Sequence, residues 1–258
     1  MDPETSMALF SVLFGLALGS FLNVCIYRIP LAKSIVNPPS ACPDCGRWIR
    51  FYDNIPLLSY IFLSGKCRDC HCRIPLRYPA VEAITGLLSL ALFIKFGPGY
   101  QYFLYLLFAA MLIIISFIDL SHKIIPNILS YPGIALGLAA SFLPGHVTGA
   151  DSIIGIVAGY GSLFLVELVF KFLTGREGMG RGDAKLLAMI GAWAGWRALP
   201  FILLSSSLAG SVIGGIFLLA TGKGYRIKIP FGPFLSFGAL TYVFFGPELT
   251  SWYFHLLR

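Results

Sequence analysis

Apolar residues run along this chain in long blocks, and polar residues are confined mostly to the gaps between them. A bilayer core of about 30 Å takes roughly 20 apolar residues of helix. The blocks predict eight transmembrane helices, over residues 7–29, 78–96, 100–120, 124–143, 151–174, 182–197, 198–221 and 230–247. The sixth is the weakest, because only Ala184 to Trp196 is convincingly apolar. Residues 30–77 break the pattern and form the one stretch long and polar enough for a small extramembrane domain. Residues 1–6 precede a second methionine and read as an expression scar. The run from Met7 has neither a basic leader nor a small-residue cleavage site, so it is expected to persist as the first helix. The expected architecture is an all-α polytopic membrane protein. A first helix (7–29) and a polar insert (30–77) precede a bundle of about seven helices (78–258).

Composition agrees with a membrane class and excludes an ordinary soluble domain. The 258 residues are 57% hydrophobic and 12% charged, with a mean hydropathy of +0.80. Charge placement supports the sixth span. With eight spans and the N-terminus outside, all but three of the 19 Lys and Arg residues fall on one side. The exceptions are Lys95, Arg197 and Arg258, and deleting the sixth span would move Lys223, Arg226 and Lys228 outside as well. The positive-inside tendency makes the lysine- and arginine-rich side cytoplasmic. The net charge of +7 is thereby assigned to orientation and to anionic lipid of the bilayer, with no nucleic-acid partner. The glycine pairs Gly15/Gly19, Gly155/Gly159, Gly191/Gly195 and Gly210/Gly214 permit close helix approach and predict a packed bundle.

The insert carries Cys42-Pro-Asp-Cys45 and, 21 residues on, Cys67-Arg-Asp-Cys70. Two C-x-x-C knuckles at this spacing supply four thiolates for a tetrahedral Zn²⁺. A cytoplasmic loop lies in a reducing compartment, which disfavours disulfides. A full thiolate set leaves no open coordination position, so the predicted zinc is structural. An insert of under 50 residues has too little core to fold alone, and metal binding supplies the stability. His71 and Cys72 adjoin the second knuckle as competing ligands. Cys72 reads as a spare thiol and Cys25 as a small core residue.

Acidic residues inside spans are functional candidates by default. Here they are Glu82, Asp119, Glu167 and Asp183. Asp119 ends the third span, and Asp183 opens the sixth within Gly178-Met179-Gly180-Arg181-Gly182-Asp183. The topology places both aspartates at one depth on one side. Two carboxylates in a confined site cannot both ionise cheaply. One keeps a proton while the other stays charged, which suits activation of water and protonation of a leaving amine. Gly180 and Gly182 are expected to let backbone approach a substrate or take positive φ. Asp183 at a helix start gains from the macrodipole, and Arg181 adds charge beside it or reaches to lipid headgroups. Glu82 and Glu167 are expected to satisfy polar partners within the bundle.

These residues resemble the bacterial type IV prepilin leader peptidases, which are bifunctional aspartic peptidases and N-methyltransferases. The resemblance covers nearly the whole chain from Met7. It runs through Gly19-Ser20-Phe21-Leu22-Asn23-Val24, Tyr27-Arg28, the four-cysteine insert and Tyr52-Asp53-Asn54-Ile55-Pro56. It continues through Arg77-Tyr78-Pro79, Asp119, Pro126-Asn127 and the glycine-rich stretch ending at Asp183. It implies that Asp119 and Asp183 are the catalytic dyad. It also implies cleavage of the short basic leader of prepilins and pseudopilins at the cytoplasmic face of the inner membrane. Methylation of the new N-terminus from S-adenosylmethionine would follow, and no glycine-rich fingerprint marks a site for that donor. Two rival readings fit less well. Presenilin-type proteases carry tyrosine directly before the first aspartate, where this chain has Ile118. A proton- or metal-coupled transporter would place its ionisable groups near the midplane, not at span ends.

Overall fold

The computed structural model describes residues 2–175, 180–221 and 230–256. Gly178 and Met179 of the glycine-rich stretch lie outside the described residues, as do the cations Arg176, Lys223, Arg226, Lys228 and Arg258. Nine α-helices occur among the described residues: α1 (Pro3–Arg28), α2 (Leu58–Phe62), α3 (Arg77–Phe96), α4 (Tyr100–His122), α5 (Asn127–Ala140), α6 (Gly149–Thr174), α7 (Arg181–Ala194), α8 (Leu199–Thr221) and α9 (Gly232–Leu256). Each of the eight expected spans is a helix, and α2 is a short addition within the insert. Among the described residues, extended pairing is limited to two isolated bridges, Ala41 with Trp48 and Lys66 with Arg73.

Among the described residues, five helices are long and apolar enough to cross a membrane: α1, α3, α4, α6 and α8. The helices at the fourth and sixth expected spans, α5 and α7, have 14 residues each. Proline and backbone geometry set the start of α5. Lys123 takes a left-handed φ of 55° after α4, and Pro126 is extended as the N-cap. The weak apolarity of segment 182–197 has a packing cause. Every residue of α7 from Leu186 to Trp193 is buried, because α7 packs against α5, α6 and α9. A helix enclosed by protein does not need a lipid-facing surface. At the other end of the chain, α1 already begins at Pro3, a residue suited to a first helical turn.

The chain forms two compact units, Met1–Ile114 and Ile115–Arg258. In the first, α1 lies along α3 at its glycines: a Cβ on Gly19 would stand 2.7 Å from the Cα of Glu82. Polar ties reinforce the pair. Ser89 Oγ donates to the Ser11 carbonyl at 2.6 Å, and Asn23 Nδ2 donates to the Tyr78 carbonyl at 3.0 Å. Buried Arg28 donates to the carbonyls of Ser34 and Pro38, at 2.9 and 2.7 Å, and so fixes the chain entering the insert.

In the second unit, Gly155 of α6 meets Gly191 of α7 so closely that a Cβ on either would run into the other's backbone. Ser152 Oγ donates to the Ala192 carbonyl at 2.8 Å, adding a hydrogen bond to the same contact. Trp193 Nε1 donates to the Gly133 carbonyl at 2.9 Å and ties α7 to α5. Ser206 Oγ lies 3.0 Å from the Phe234 carbonyl, which holds the start of α9 against α8. These contacts tie the C-terminal end of α7 to α5 and α6, and the start of α9 to α8.

Candidate active site and candidate metal centre

Asp119 and Asp183 line one cleft of about 320 Å³ in the second unit. Its other described lining residues are Lys123, Ile124, Ile125, Asn127, Gly180, Gly182 and Lys185, so among the described residues the two aspartates are its only carboxylates. Asp119 sits in the last turn of α4 and is buried. Asp183 is the third residue of α7 and is half-buried.

The backbone amide of Gly232, the first residue of α9, donates to Asp119 Oδ2 at 3.0 Å. An orphan donor at a helix start thus meets a buried acceptor. A Cβ at position 232 would lie 2.7 Å from that oxygen, so glycine is required by close approach. Gly182 has a related role: a Cβ there would sit 3.1 Å from the Cβ of Ile125. Gly180 has φ −77°, so left-handed backbone is not its reason, and its surroundings are open.

Among the described residues, two cations border the pair. Lys185 Nζ donates to Asn127 Oδ1 at 2.8 Å and lies 5.4 Å from the Tyr131 ring centre. Lys123 follows α4 and reaches the cleft through its left-handed backbone. Arg181 is directed to neither aspartate: its Nε lies 3.8 Å from Glu167 Oε1. Glu82, in the first unit, accepts the Leu57 amide at 2.9 Å. Both glutamates therefore engage local polar partners. Sequence reasoning missed Gly232, because a backbone donor has no side-chain signature. It also missed Lys185, although that residue follows Asp183 by only two positions.

The insert contains two knuckles of one design. The amide of Cys42 donates to Arg47 O and that of Cys67 to Cys72 O, each at 2.9 Å. Gly46 and His71 close the equivalent turns with φ of 71° and 56°. Arg47 of the first knuckle pairs with Asp69 of the second at 2.9 Å. Arg68 grips Asp53 with Nε at 2.9 Å and Nη2 at 2.6 Å, and this holds the Asp53 carboxyl below the usual carboxylate range. The Sγ atoms of Cys42, Cys45, Cys67 and Cys70 all lie within 4.8 Å of one another. All six cysteines are free thiols. Burial works against the Cys42 thiolate, but the amides of Cys45 and Asp44 and the neighbouring thiols outweigh it and bring its pKa down to about 6. Four convergent thiols, two of them (Cys42 and Cys70) biased toward thiolate, form a cluster that could hold a metal ion.

Fold and cleft together define a class: a polytopic all-α membrane protein with a paired-aspartate cleft and a cysteine-cluster insert. Residues 13–96 match the family model of the bacterial peptidase A24 N-terminal domain, and residues 106–216 match that of the type IV leader peptidase family. A prepilin leader peptidase/N-methyltransferase of Aeromonas hydrophila is 40% identical over 265 residues, covering 93% of this chain and 91% of the relative. That of Pseudomonas aeruginosa is 40% identical over 271 residues, covering 96% and 93%. That of Myxococcus xanthus is 44% identical over 216 residues, covering 84% of this chain and 64% of the relative. No solved structure gives a significant match. The chain belongs to the type IV leader peptidase family, the family of the prepilin leader peptidase/N-methyltransferases.

Proposed function

We propose that Asp119 and Asp183 are the catalytic pair of a peptidase that removes the short basic leader of type IV prepilins and pseudopilins at the cytoplasmic face. The observation that carries this reading is that one cleft is lined by both aspartates and, among the described residues, by no other carboxylate. The ionised carboxylate takes a proton from water as the water oxygen attacks the scissile carbonyl. The protonated partner donates to the departing nitrogen, and the C–N bond breaks to give a leader carboxylate and a new N-terminal amine. The Gly232 amide fixes the oxygen of Asp119 that faces α9 and leaves the other oxygen for water. Lys123 and Lys185 place positive charge beside the pair. S-adenosylmethionine supplies the methyl group that the new amine receives. The four-cysteine cluster suits structural Zn²⁺, held by Cys42, Cys45, Cys67 and Cys70, which would supply folding stability to the insert.

The direct test incubates the purified protein with a prepilin and S-adenosylmethionine and reads the product N-terminus by mass spectrometry. A leaderless chain carrying one added methyl is expected, and an intact prepilin overturns the reading. Gly232→Ala probes the cleft more finely. Alanine keeps the amide and suits a helix start, but its Cβ must push the Asp119 carboxylate aside. A displacement on the ångström scale lowers turnover about 100-fold, with KM for the prepilin little changed. Turnover close to that of the unaltered enzyme would show that the α9 contact does not position Asp119.

A further inference from the structure

A fifth thiol lies inside the cysteine cluster. Cys72 Sγ is 3.1 Å from Cys70 Sγ and 3.5 Å from Cys42 Sγ. Cys42 and Cys70 are themselves 3.8 Å apart. A tetrahedral Zn²⁺ with sulfur ligands at about 2.3 Å sets its sulfurs about 3.8 Å from one another. The Cys42–Cys70 separation has that length, and Cys42–Cys72 falls short of it by only a few tenths of an ångström. Cys70 and Cys72 are too close to occupy two vertices of one tetrahedron. They are alternatives for a single vertex.

The chain path explains how both arrive there. Cys72 occupies in the second knuckle the position that Arg47 occupies in the first, where the carbonyl accepts the amide of the leading cysteine. The first knuckle therefore offers two sulfurs and the second offers three. Cys70 is the exposed member of the set, whereas Cys72 is half-buried and Cys42 is buried. Cys70, which completes the mutually close set of four, holds the vertex in the unaltered chain.

We propose that Cys72 is a reserve ligand, able to take the vertex of Cys70 and keep the ion four-coordinate when Cys70 is lost. The exchange costs one Zn–S bond and forms another, with the proton of the Cys72 thiol released to solvent. The inference rests on the structural-zinc reading above and makes the four ligand cysteines unequal. Loss of Cys42, Cys45 or Cys67 has no such replacement.

The test measures zinc per chain by elemental analysis, and sulfur coordination by X-ray absorption, in five purified full-length proteins. These are the unaltered chain, Cys67→Ser, Cys70→Ser, Cys72→Ser and the Cys70→Ser/Cys72→Ser double variant. The unaltered chain and Cys72→Ser are expected to hold about one zinc with four sulfurs. Cys70→Ser should keep zinc with four sulfurs, while Cys67→Ser and the double variant lose the ion or fall to three sulfurs. Cys70→Ser with three sulfurs, or as empty as Cys67→Ser, overturns the reserve-ligand inference alone. An unaltered chain purified without zinc overturns the metal-centre reading and this inference with it. Zinc content is independent of peptidase activity, so a variant that cleaves poorly is still informative.

Discussion

Asp119→Asn and Asp183→Asn are each expected to abolish leader cleavage, with a fall in turnover on the order of 10⁴-fold or more. Asparagine keeps the shape of the side chain and the hydrogen bond from Gly232, but it neither takes a proton from water nor returns one. The double variant should be no slower than either single one, because the two groups act as a unit. Glu82→Gln is the control: its carboxylate accepts the Leu57 amide in the other unit and takes no part in the cleft. Cleavage by each purified variant in lipid, quantified by mass spectrometry, decides the matter. Substantial turnover from either single variant sinks the assignment of the pair.

Cys42→Ser and Cys67→Ser should each reduce zinc from about one per chain to background and unfold the insert locally. Structural zinc in small domains is worth about 10–16 kcal/mol of apparent binding, and there it is also folding energy. The helices of both units draw on packing that does not involve the ion, such as the glycine contacts of α1 with α3 and of α6 with α7. The aspartates belong to the second compact unit and the cysteines to the first. If the insert helps form the methyl-donor site, as the family resemblance suggests, the expected outcome is unequal damage, with methylation impaired more than cleavage. The product would be a leaderless pilin with an unmethylated amine. Equal loss of both activities in every cysteine variant would show that the insert supports the whole enzyme.

What the sequence made legible follows from how strongly each feature departs from its surroundings. A carboxylate within an apolar run is conspicuous, so Asp119 and Asp183 stood out, and the fold has them line one cleft. The C-x-x-C spacing exposed four thiols that the fold brings together. Gly232 was illegible because it acts through its amide, 113 residues from Asp119, and any residue other than proline carries such a donor. Cys72 was legible as a neighbour of the second knuckle but not as a rival for one vertex, because that depends on distances across the cluster. The span length was overestimated at α5, where Lys123 and Pro126 delay the helix, whereas the weak signal of the sixth span matches a helix enclosed by protein.

The two short helices bear on the solvent of the reaction. Fourteen residues rise only about 21 Å, some 9 Å less than the hydrocarbon of an ordinary bilayer. Both begin at the cleft, α5 with Asn127 and α7 two residues before Asp183. At α5, which exposes Ile128, Tyr131 and Leu136, such hydrophobic mismatch is met by a locally thinner bilayer, which would bring bulk water close to the aspartates. Hydrolysis consumes one water per bond, and lipid is the worst place to find it. The brevity of α5 and α7 would thus serve as a supply route, letting the proposed catalytic pair meet water where the membrane is least deep.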